Sequence, residues 1–440
     1  MGQPLVHVLV VNWKGRPHLK ECFDSLLGGS YPNARFVLID NASEDGSLEF
    51  FRTHYSADPR VDLVCCESNL GWSRANNIGI ERALEAGADY IFLLNDDTVT
   101  APDAITDLVA MAENRPEIGA LAPKMLLYHH PDLINSIGIE CSIAGTGWDL
   151  GLGRLDSPKW HEPRKVLGVC GGACFLRAEA VRKAGVLPAD FDIYLDDLDL
   201  CLRIWDAGYE VWSCPAAVVL HKFSATMGQG DAARRKYFLN TRNRMRLVLR
   251  NFPVSKALSI KASFAVAELR SVGRALLDKE FWKVGAHIRA WLANLSYLPK
   301  ALGERSRRRK AGVAKCRFWP LVRTAPLFFP GVELPEDGWY AEQQVDGLAV
   351  RPISTRARRA VQPGRLRVTC VNCYPQLGST DIEVRLGADK VARLQTDSSE
   401  QVVIPVEHAG ALEFTARTVF DGDDTGLGID VGGWLHIEPL

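Results

Sequence analysis

At 440 residues the chain exceeds one ordinary hydrophobic core, so two or three domains are expected. Its 47% apolar and 24% charged residues and formal net charge of -1 describe a globular protein without the basic bias of a nucleic-acid partner. Met1-Gly2-Gln3-Pro4 runs into apolar sequence with no basic region or cleavage site, and no apolar stretch reaches the roughly 18 residues that cross a bilayer. A cytoplasmic protein, free or on a membrane surface, is expected, and its 11 cysteines read as reduced thiols.

The first predicted strand is Val6 to Val11, followed by a helix from Pro17 to Leu27 that Gly28-Gly29 stops. A second strand, Phe36 to Ile39, ends in Asp40-Asn41-Ala42-Ser43 and leads to a helix from Gly46 to Tyr55. A third, Val61 to Cys66, opens a loop from Asn69 to Gly79 and a helix to Gly87. This β-α-β alternation predicts a parallel sheet with polar groups gathered at its strand ends: Asn12, then Asp40 and Asn41, then the loop with Asn69, Gly71, Arg74 and Asn77. A nucleotide crevice follows from that placement, although the GxGxxG of a redox Rossmann domain is absent after the first strand.

Tyr90-Ile-Phe-Leu-Leu94 then drives an apolar run into Asn95, Asp96 and Asp97. Oxygen groups at a sheet edge suit Mg²⁺ or Mn²⁺, and such a cation suits a diphosphate. The plainer alternative is a turn that caps the helix after Pro102. A second acidic cluster, Asp192, Asp196, Asp197 and Asp199, precedes and opens a helix with Leu198, Leu202 and Trp205 on one face. Capping explains one of these carboxylates; four so close point to a shared cation or to raised pKa values, and so to catalysis. Gly171 and Gly172 just upstream would let an acceptor approach, and His221 ends another apolar strand.

These pieces together resemble the inverting family 2 glycosyltransferases of GT-A fold, from Leu5 to about Pro253. Within that family they are most similar to bacterial rhamnosyltransferase-type enzymes that extend lipid-linked polysaccharide. The matching segments are Val11-Asn12-Trp13, Val37 to Ser47, Asn69-Leu-Gly71, Ala75 to Gly79, Leu94 to Thr98, Gly171 to Ala173, Asp196 to Arg203 and Pro215 to His221. The resemblance implies that Asp40 binds the base, that Asn95 with Asp97 forms the DxD-like metal motif, that Asp197 is the general base, and that His221 contacts metal or diphosphate. It places Asn12, Asn41, Asn69, Gly71, Arg74, Asn77, Asn95 and Asp96 beside Asp40 on the nucleotide-sugar, Asp196 beside the base, and Gly171, Gly172 and Asp199 on the acceptor side. Two departures stand out: Asn95-Asp96-Asp97-Thr98 replaces the frequent Asn-Pro-Asp-Thr, and Asp196-Asp197 replaces Glu-Asp. No Gln-x-x-Arg-Trp of processive synthases is present. The implied partners are a dTDP- or UDP-linked donor, a divalent cation, and a glycan or lipid-linked saccharide acceptor at the inner face of the plasma membrane.

Residues 254–317 read as a basic amphipathic helical segment, with eight basic residues between Lys300 and Arg317 against Glu304 and with Phe281, Trp282, Trp291, Leu292, Leu295 and Leu298 beside them. That composition suits a solvated face or docking on an anionic membrane. A Pro-rich linker over 318–331 leads to a small β-sandwich over 332–440, whose period-two strands would serve sugar binding through Trp339 or Trp434, dimerisation, or support. Cys370-Val-Asn-Cys373 lacks the second ligand pair of a zinc site. The expected architecture is thus a GT-A domain over 1–253, the helical segment and the sandwich. Competing functions are a non-catalytic sugar-nucleotide or glycan-binding scaffold and a nucleotidyltransferase. Trp148 and Trp160, in the loop from Leu126 to Val166, are the candidates for sugar stacking.

Overall fold

The computed structural model describes residues 2–222, 230–313, 315–323, 340, 343–345, 348–353, 356–371, 381–387, 389–395, 401–407, 409–416 and 433–439. They fall into two compact units, Met1–Leu150 with Ser157–Leu327, and Gly151–Asp156 with Phe328–Leu440.

The first unit opens with β1 (Val6–Asn12), α1 (Leu19–Leu27), β2 (Ala34–Asp40), α2 (Ser47–Tyr55), β3 (Val61–Cys65), α3 (Trp72–Glu85), β4 (Tyr90–Asn95), β5 (Thr98–Thr100) and α4 (Ala104–Asn114). It continues with β6 (Ile118–Leu127), β7 (His130–Ser136), β8 (Ile139–Cys141), β9 (Gly147–Asp149), β10 (Ala173–Arg177), α5 (Ala178–Ala184), α6 (Asp196–Asp206) and β11 (Glu210–His221). Three long helices close it: α7 (Gly230–Asn251), α8 (Ala257–Leu277) and α9 (Phe281–Lys310). The main sheet runs β3-β2-β1-β4-β10-β6-β11-β5, with β7 paired to β6. β1 to β4 are parallel, whereas β10 is antiparallel to both neighbours and β5 is antiparallel to β11.

Alternation along the central strands divides two cores. Leu9, Val11, Val37, Ile39, Ile91 and Leu93 face α3, α5 and α6, while Val8, Val10, Phe36, Leu38, Phe92 and Leu94 face α1, α2 and α4. Both faces being covered, the strands read as continuous apolar runs. The expected loop from Asn69 to Gly79 is corrected: α3 begins at Trp72, so Arg74, Asn77 and Gly79 are helical. Gly79 has a packing role, because a Cβ there would meet the Ile39 side chain at 2.5 Å and Leu9 at 2.9 Å. The expected loop from Leu126 to Val166 contains three strands, β7, β8 and β9, joined by irregular chain.

Phe318, expected to open a linker, is buried in the first core, and Arg323 exchanges backbone hydrogen bonds with Cys141 and Ile143. The basic run is not wholly solvated either. Arg305 and Arg308 donate to the carbonyls of Leu249, Arg250 and Phe252 and so cap α7.

The second unit carries β12 (Gln343–Val345), β13 (Leu348–Ile353), β14 (Arg356–Val361), β15 (Gly364–Val371), β16 (Asp381–Leu386), β17 (Asp389–Gln395), β18 (Gln401–Val406), β19 (Gly410–Ala416) and β20 (Gly433–Pro439). A five-stranded sheet, β12-β13-β20-β15-β18, and a four-stranded one, β14-β19-β16-β17, share one core that includes Val368, Ile404 and Leu435 from one sheet and Val384, Leu412 and Phe414 from the other. Trp434 is buried and so serves packing rather than sugar stacking; Trp339 and Cys373 lie outside the described residues.

Candidate active site

The carboxyl end of β4 is the centre of the site. Asn95 ends the strand, Asp96 and Asp97 turn it, and β5 leaves in pairing with β11, where His221 sits opposite Thr98. That register brings His221 Nε2 to 3.1 Å from Asp97 Oδ1. His221 Nδ1–H donates to Asn135 Oδ1 on β7 at 2.6 Å, which fixes the ring and leaves Nε2 toward the carboxylate. Asp97 is buried, which raises its pKa, but the contact with His221, the charge of His18 and a backbone N–H together outweigh burial and hold it below the usual carboxylate range. Burial and the Asp97 charge push neighbouring Asp96 up to about 8. Gly15 packs so closely on Asp96 that any Cβ would collide with its carboxylate.

Among the described residues, no three His, Cys, Asp or Glu side chains gather to hold a metal by themselves. Asn95 was expected as a ligand, yet its oxygen accepts from Trp72 Nε1 at 3.3 Å and its amide nitrogen faces His221 Nε2 at 3.5 Å, so it offers no oxygen there. One carboxylate and one imidazole remain. Such a pair fits a hard cation that draws its other ligands from phosphate oxygens and water.

On the nucleotide side the expected residues divide by exposure. Asn12 is fully buried and works on its neighbours: it donates to Asp40 Oδ1 and Ser43 Oγ, each at 2.9 Å, and accepts from Gly15 N. Asn41 is likewise occupied, donating to Asn69 and accepting from Leu70 N at 2.8 Å. These two shape the strand ends rather than present free groups. Asn77 is corrected outright, because its amide makes a reciprocal pair with the backbone of Leu187. Asp40 is also buried, 2% exposed, and its oxygens accept from Asn12 Nδ2 and Ser43 N at 2.9 and 3.1 Å, whereas Trp13, one residue past Asn12, is 44% exposed. Arg74 is exposed on the first turn of α3, and Gly71 caps that helix with φ 82°.

On the acceptor side, α6 starts at Asp196. Asp197 Oδ2 accepts from Gly171 N at 2.8 Å and its Oδ1 from Leu198 N at 2.7 Å. Burial raises Asp197 to about 6, the two N–H groups opposing the rise and the charge of Asp149 adding to it. Asp196 is buried and takes a hydrogen bond from Ser73 Oγ at 2.5 Å; burial and the charge of Asp197 push its pKa well above the ordinary value. Asp199 is corrected as an acceptor ligand. It is fully buried, paired with Arg203 and Arg250 at 2.8 Å each and bonded to Asn251 at 2.7 Å. Gly171 and Gly172 join the two poles: a Cβ on Gly171 would meet Trp72 at 2.6 Å, and one on Gly172 would meet Met125 at 3.0 Å and His221 at 3.6 Å.

Several site residues escaped the sequence reading. Asn135, Trp72 and Ser73 orient His221, Asn95 and Asp196, and Asp149 on β9 has a buried carboxylate oxygen without a partner. Trp148 is half-buried, but Trp160 lies in a core cluster with Ile134 and Ile137 and cannot stack on a sugar.

A mixed sheet with helices on both faces and an acidic strand end at its crevice is the GT-A fold, here followed by a small antiparallel β-unit. A family model described as glycosyl transferase family 2 matches residues 7–126, and one described as glycosyl transferase family group 2 matches residues 90–297. The chain belongs to glycosyltransferase family 2. It is 29% identical over 248 residues to the uncharacterized protein y4gI of Sinorhizobium fredii and 27% identical over 248 residues to the O-antigen biosynthesis protein RfbC of Myxococcus xanthus. Those matches cover 53% and 54% of this chain but only 26% and 19% of the two relatives. It is 29% identical over 251 residues to an N-acetylglucosaminyl-diphospho-decaprenol L-rhamnosyltransferase of Mycobacterium tuberculosis, covering 51% of this chain and 78% of that one. Among solved structures, S. aureus TarS 1-349 aligns over 80% of this chain and 96% of its own with 13% identity and a TM-score of 0.45.

Proposed function

We propose that this chain transfers a sugar from a dTDP- or UDP-linked donor to a hydroxyl of a glycan or lipid-linked saccharide, with inversion, in the synthesis of a bacterial surface polysaccharide. The observation that carries this reading is the two-pole site: Asp197, with a pKa of about 6 and an N–H behind each oxygen, is joined to the Asp97–His221 pair through Gly171 and Gly172. Each Asp197 oxygen keeps a lone pair for the acceptor, so the carboxylate can take the hydroxyl proton as that oxygen attacks the anomeric carbon. A single displacement inverts the configuration. Asp97 and His221 would hold a divalent cation, which supplies charge neutralisation to the departing diphosphate. The exposed Trp13, with a remaining lone pair of the Asp40 carboxylate beside it, would receive the base.

Similarity to the mycobacterial L-rhamnosyltransferase supports a deoxyhexose donor and a lipid-linked acceptor. No helix among the described residues is long and apolar enough to cross a membrane. Leu258, Leu269 and Leu276 are nevertheless exposed along α8, and Phe281, Leu292, Leu295 and Leu302 along α9, with Lys261, Arg270, Arg274 and Arg289 exposed on the same helices. Apolar stripes edged by cations suit peripheral docking on an anionic leaflet, where a lipid-linked acceptor lies. The deciding experiment is nucleotide release from dTDP- and UDP-sugars with Mn²⁺ or Mg²⁺. Release with one donor, lost on chelation and in Asp197→Asn, is expected. Silence with every donor, together with no calorimetric binding, would favour the non-catalytic scaffold instead.

A further inference from the structure

We propose that Asn243, on α7, is a positioning residue that clamps the left-handed turn ahead of α6 and thereby aims Asp197. The proposal rests on the transferase reading only for the task of Asp197.

Between Phe191 and α6 the backbone takes an unusual path. Asp192, Tyr194 and Leu195 have φ values of 70°, 74° and 62°, and none of them is glycine. Residues with a Cβ avoid that region, so the turn persists only where its surroundings hold it. The turn also points carbonyls away from any strand or helix partner. Asn243 is fully buried and its Nδ2 lies 2.9 Å from three of them, those of Phe191, Ile193 and Tyr194. Its oxygen accepts from Arg242 Nε at 3.0 Å, so the amide can face the carbonyls only with its donors. Arg242 adds bonds to the carbonyls of Asp190 and Phe191 at 3.2 and 2.8 Å, and Arg246 one to Asp190 at 2.5 Å. From the opposite side, Ser73 N and Oγ both donate to the Asp192 carbonyl at 2.9 Å.

Leu195 is the last link, because its carbonyl accepts the first helical N–H, that of Asp199, at 2.9 Å. The direction of the Leu195 peptide thus sets the first turn of α6 and the reach of Asp197 toward Gly171. Without the Asn243 donors, the carbonyls of Ile193 and Tyr194 lose this donor while that of Phe191 keeps Arg242, and the turn can relax toward right-handed φ, carrying Asp197 away.

The test uses the full chain with Asn243→Ala, Asn243→Asp and Asn243→Ala combined with Leu195→Asn. Asparagine has the branching and heavy-atom count of leucine and tolerates left-handed φ, so it should ease the strain. Amide hydrogen exchange at Gly171, whose N–H is bonded to Asp197, reads the aim of the base without any substrate. Exchange there is expected to rise at least tenfold in both single variants while the amides of Phe92 and Leu93 stay protected, and to recover in the double variant. In turnover, kcat is expected to fall with donor KM unchanged. Unchanged Gly171 exchange in a folded Asn243 variant, or a double variant no better than the single, would overturn the clamp. Should Asn243→Ala fail to fold, a folded double variant supports the proposal and an unfolded one overturns it. Wild-type protein that turns over no donor while Gly171 exchange still responds to Asn243 would sink the transferase reading and leave the clamp standing.

Discussion

Gly171 donates its backbone N–H to Asp197 at 2.8 Å, and the next residue, Gly172, lies against Asn95 and His221. Backbone, not side chains, therefore sets the spacing between the proposed base and the proposed diphosphate pole, and a helix, a strand turn and β11 meet on two glycines.

Gly171→Ala is expected to lower kcat by about 100-fold, the usual consequence of moving a catalytic group by about 1 Å. The added methyl would strike the Trp72 ring at 2.6 Å and approach the Asp197 carboxylate at 3.3 Å. Steady-state kinetics alongside a thermal melt would separate this from unfolding; an unchanged kcat in a folded variant would mean that Asp197 is not the base.

The pH dependence follows from Asp197. A base must be ionised to take a proton, so with a pKa of about 6 its active form dominates at pH 7 and is lost on acidification. The kcat/KM profile is expected to fall about tenfold per pH unit below that value. A flat profile from pH 5 to 8 would point to another residue.

Asn135→Leu tests the orientation of His221. Removing the acceptor of the Nδ1–H is expected to weaken Mn²⁺ binding in the presence of UDP by about 10- to 100-fold. Titration calorimetry reads the affinity directly, and equal affinities in the variant and the wild type would remove His221 from the cation pole.

Asp199→Asn is a stability prediction. Burial raises the pKa of this carboxyl, but Arg250 and Arg203 more than offset it, and removing the charge takes the carboxylate from buried Arg203 and leaves Arg250 paired with Glu304 alone. A loss of about 3–5 kcal/mol in urea unfolding is expected. Because the folded pKa is depressed, the stabilisation is present above the ordinary carboxyl value of about 3.9 and fades only as pH falls further toward the folded one. This group should add no pH dependence to stability between pH 5 and 8.

Leu269→Glu with Leu295→Glu alters two exposed positions, 73% and 67% accessible, without touching the core. The wild type is expected to sediment with phosphatidylglycerol vesicles and the double variant to stay in the supernatant. Wild-type protein that stays free of the vesicles would end the membrane reading.

The parallel half of the fold and its acidic strand end were legible because β1, β2 and β4 are buried on both faces and end abruptly in polar residues, as at Leu94-Asn95 and Ile39-Asp40. His221 could be placed at a strand end because it closes the apolar run Val218-Val219-Leu220. β6 was overlooked although all ten of its residues are buried, since Ala120, Ala122, Pro123 and Lys124 dilute the apolar signal. Asn135, Asp149 and Asn243 were illegible on different grounds: polar residues on a hairpin or a helix acquire meaning only from the tertiary pairing that places them. Asp199 misled, because a carboxylate bound by Arg250, fifty-one residues away, looks in sequence like one more member of an acidic cluster.

The same Asp199 cluster bears on how such chains diversify. Its members come from α6, α7 and α9: Arg250 also binds Tyr297 at 2.9 Å and pairs with Glu304, and Arg308 binds Asn251 at 2.9 Å. A recombination joint between β11 and α9 would split this cluster and bury charge without its counterpart. Chimaeras between relatives should therefore tolerate exchange of the stretch from α6 to α9 only as a single inherited block.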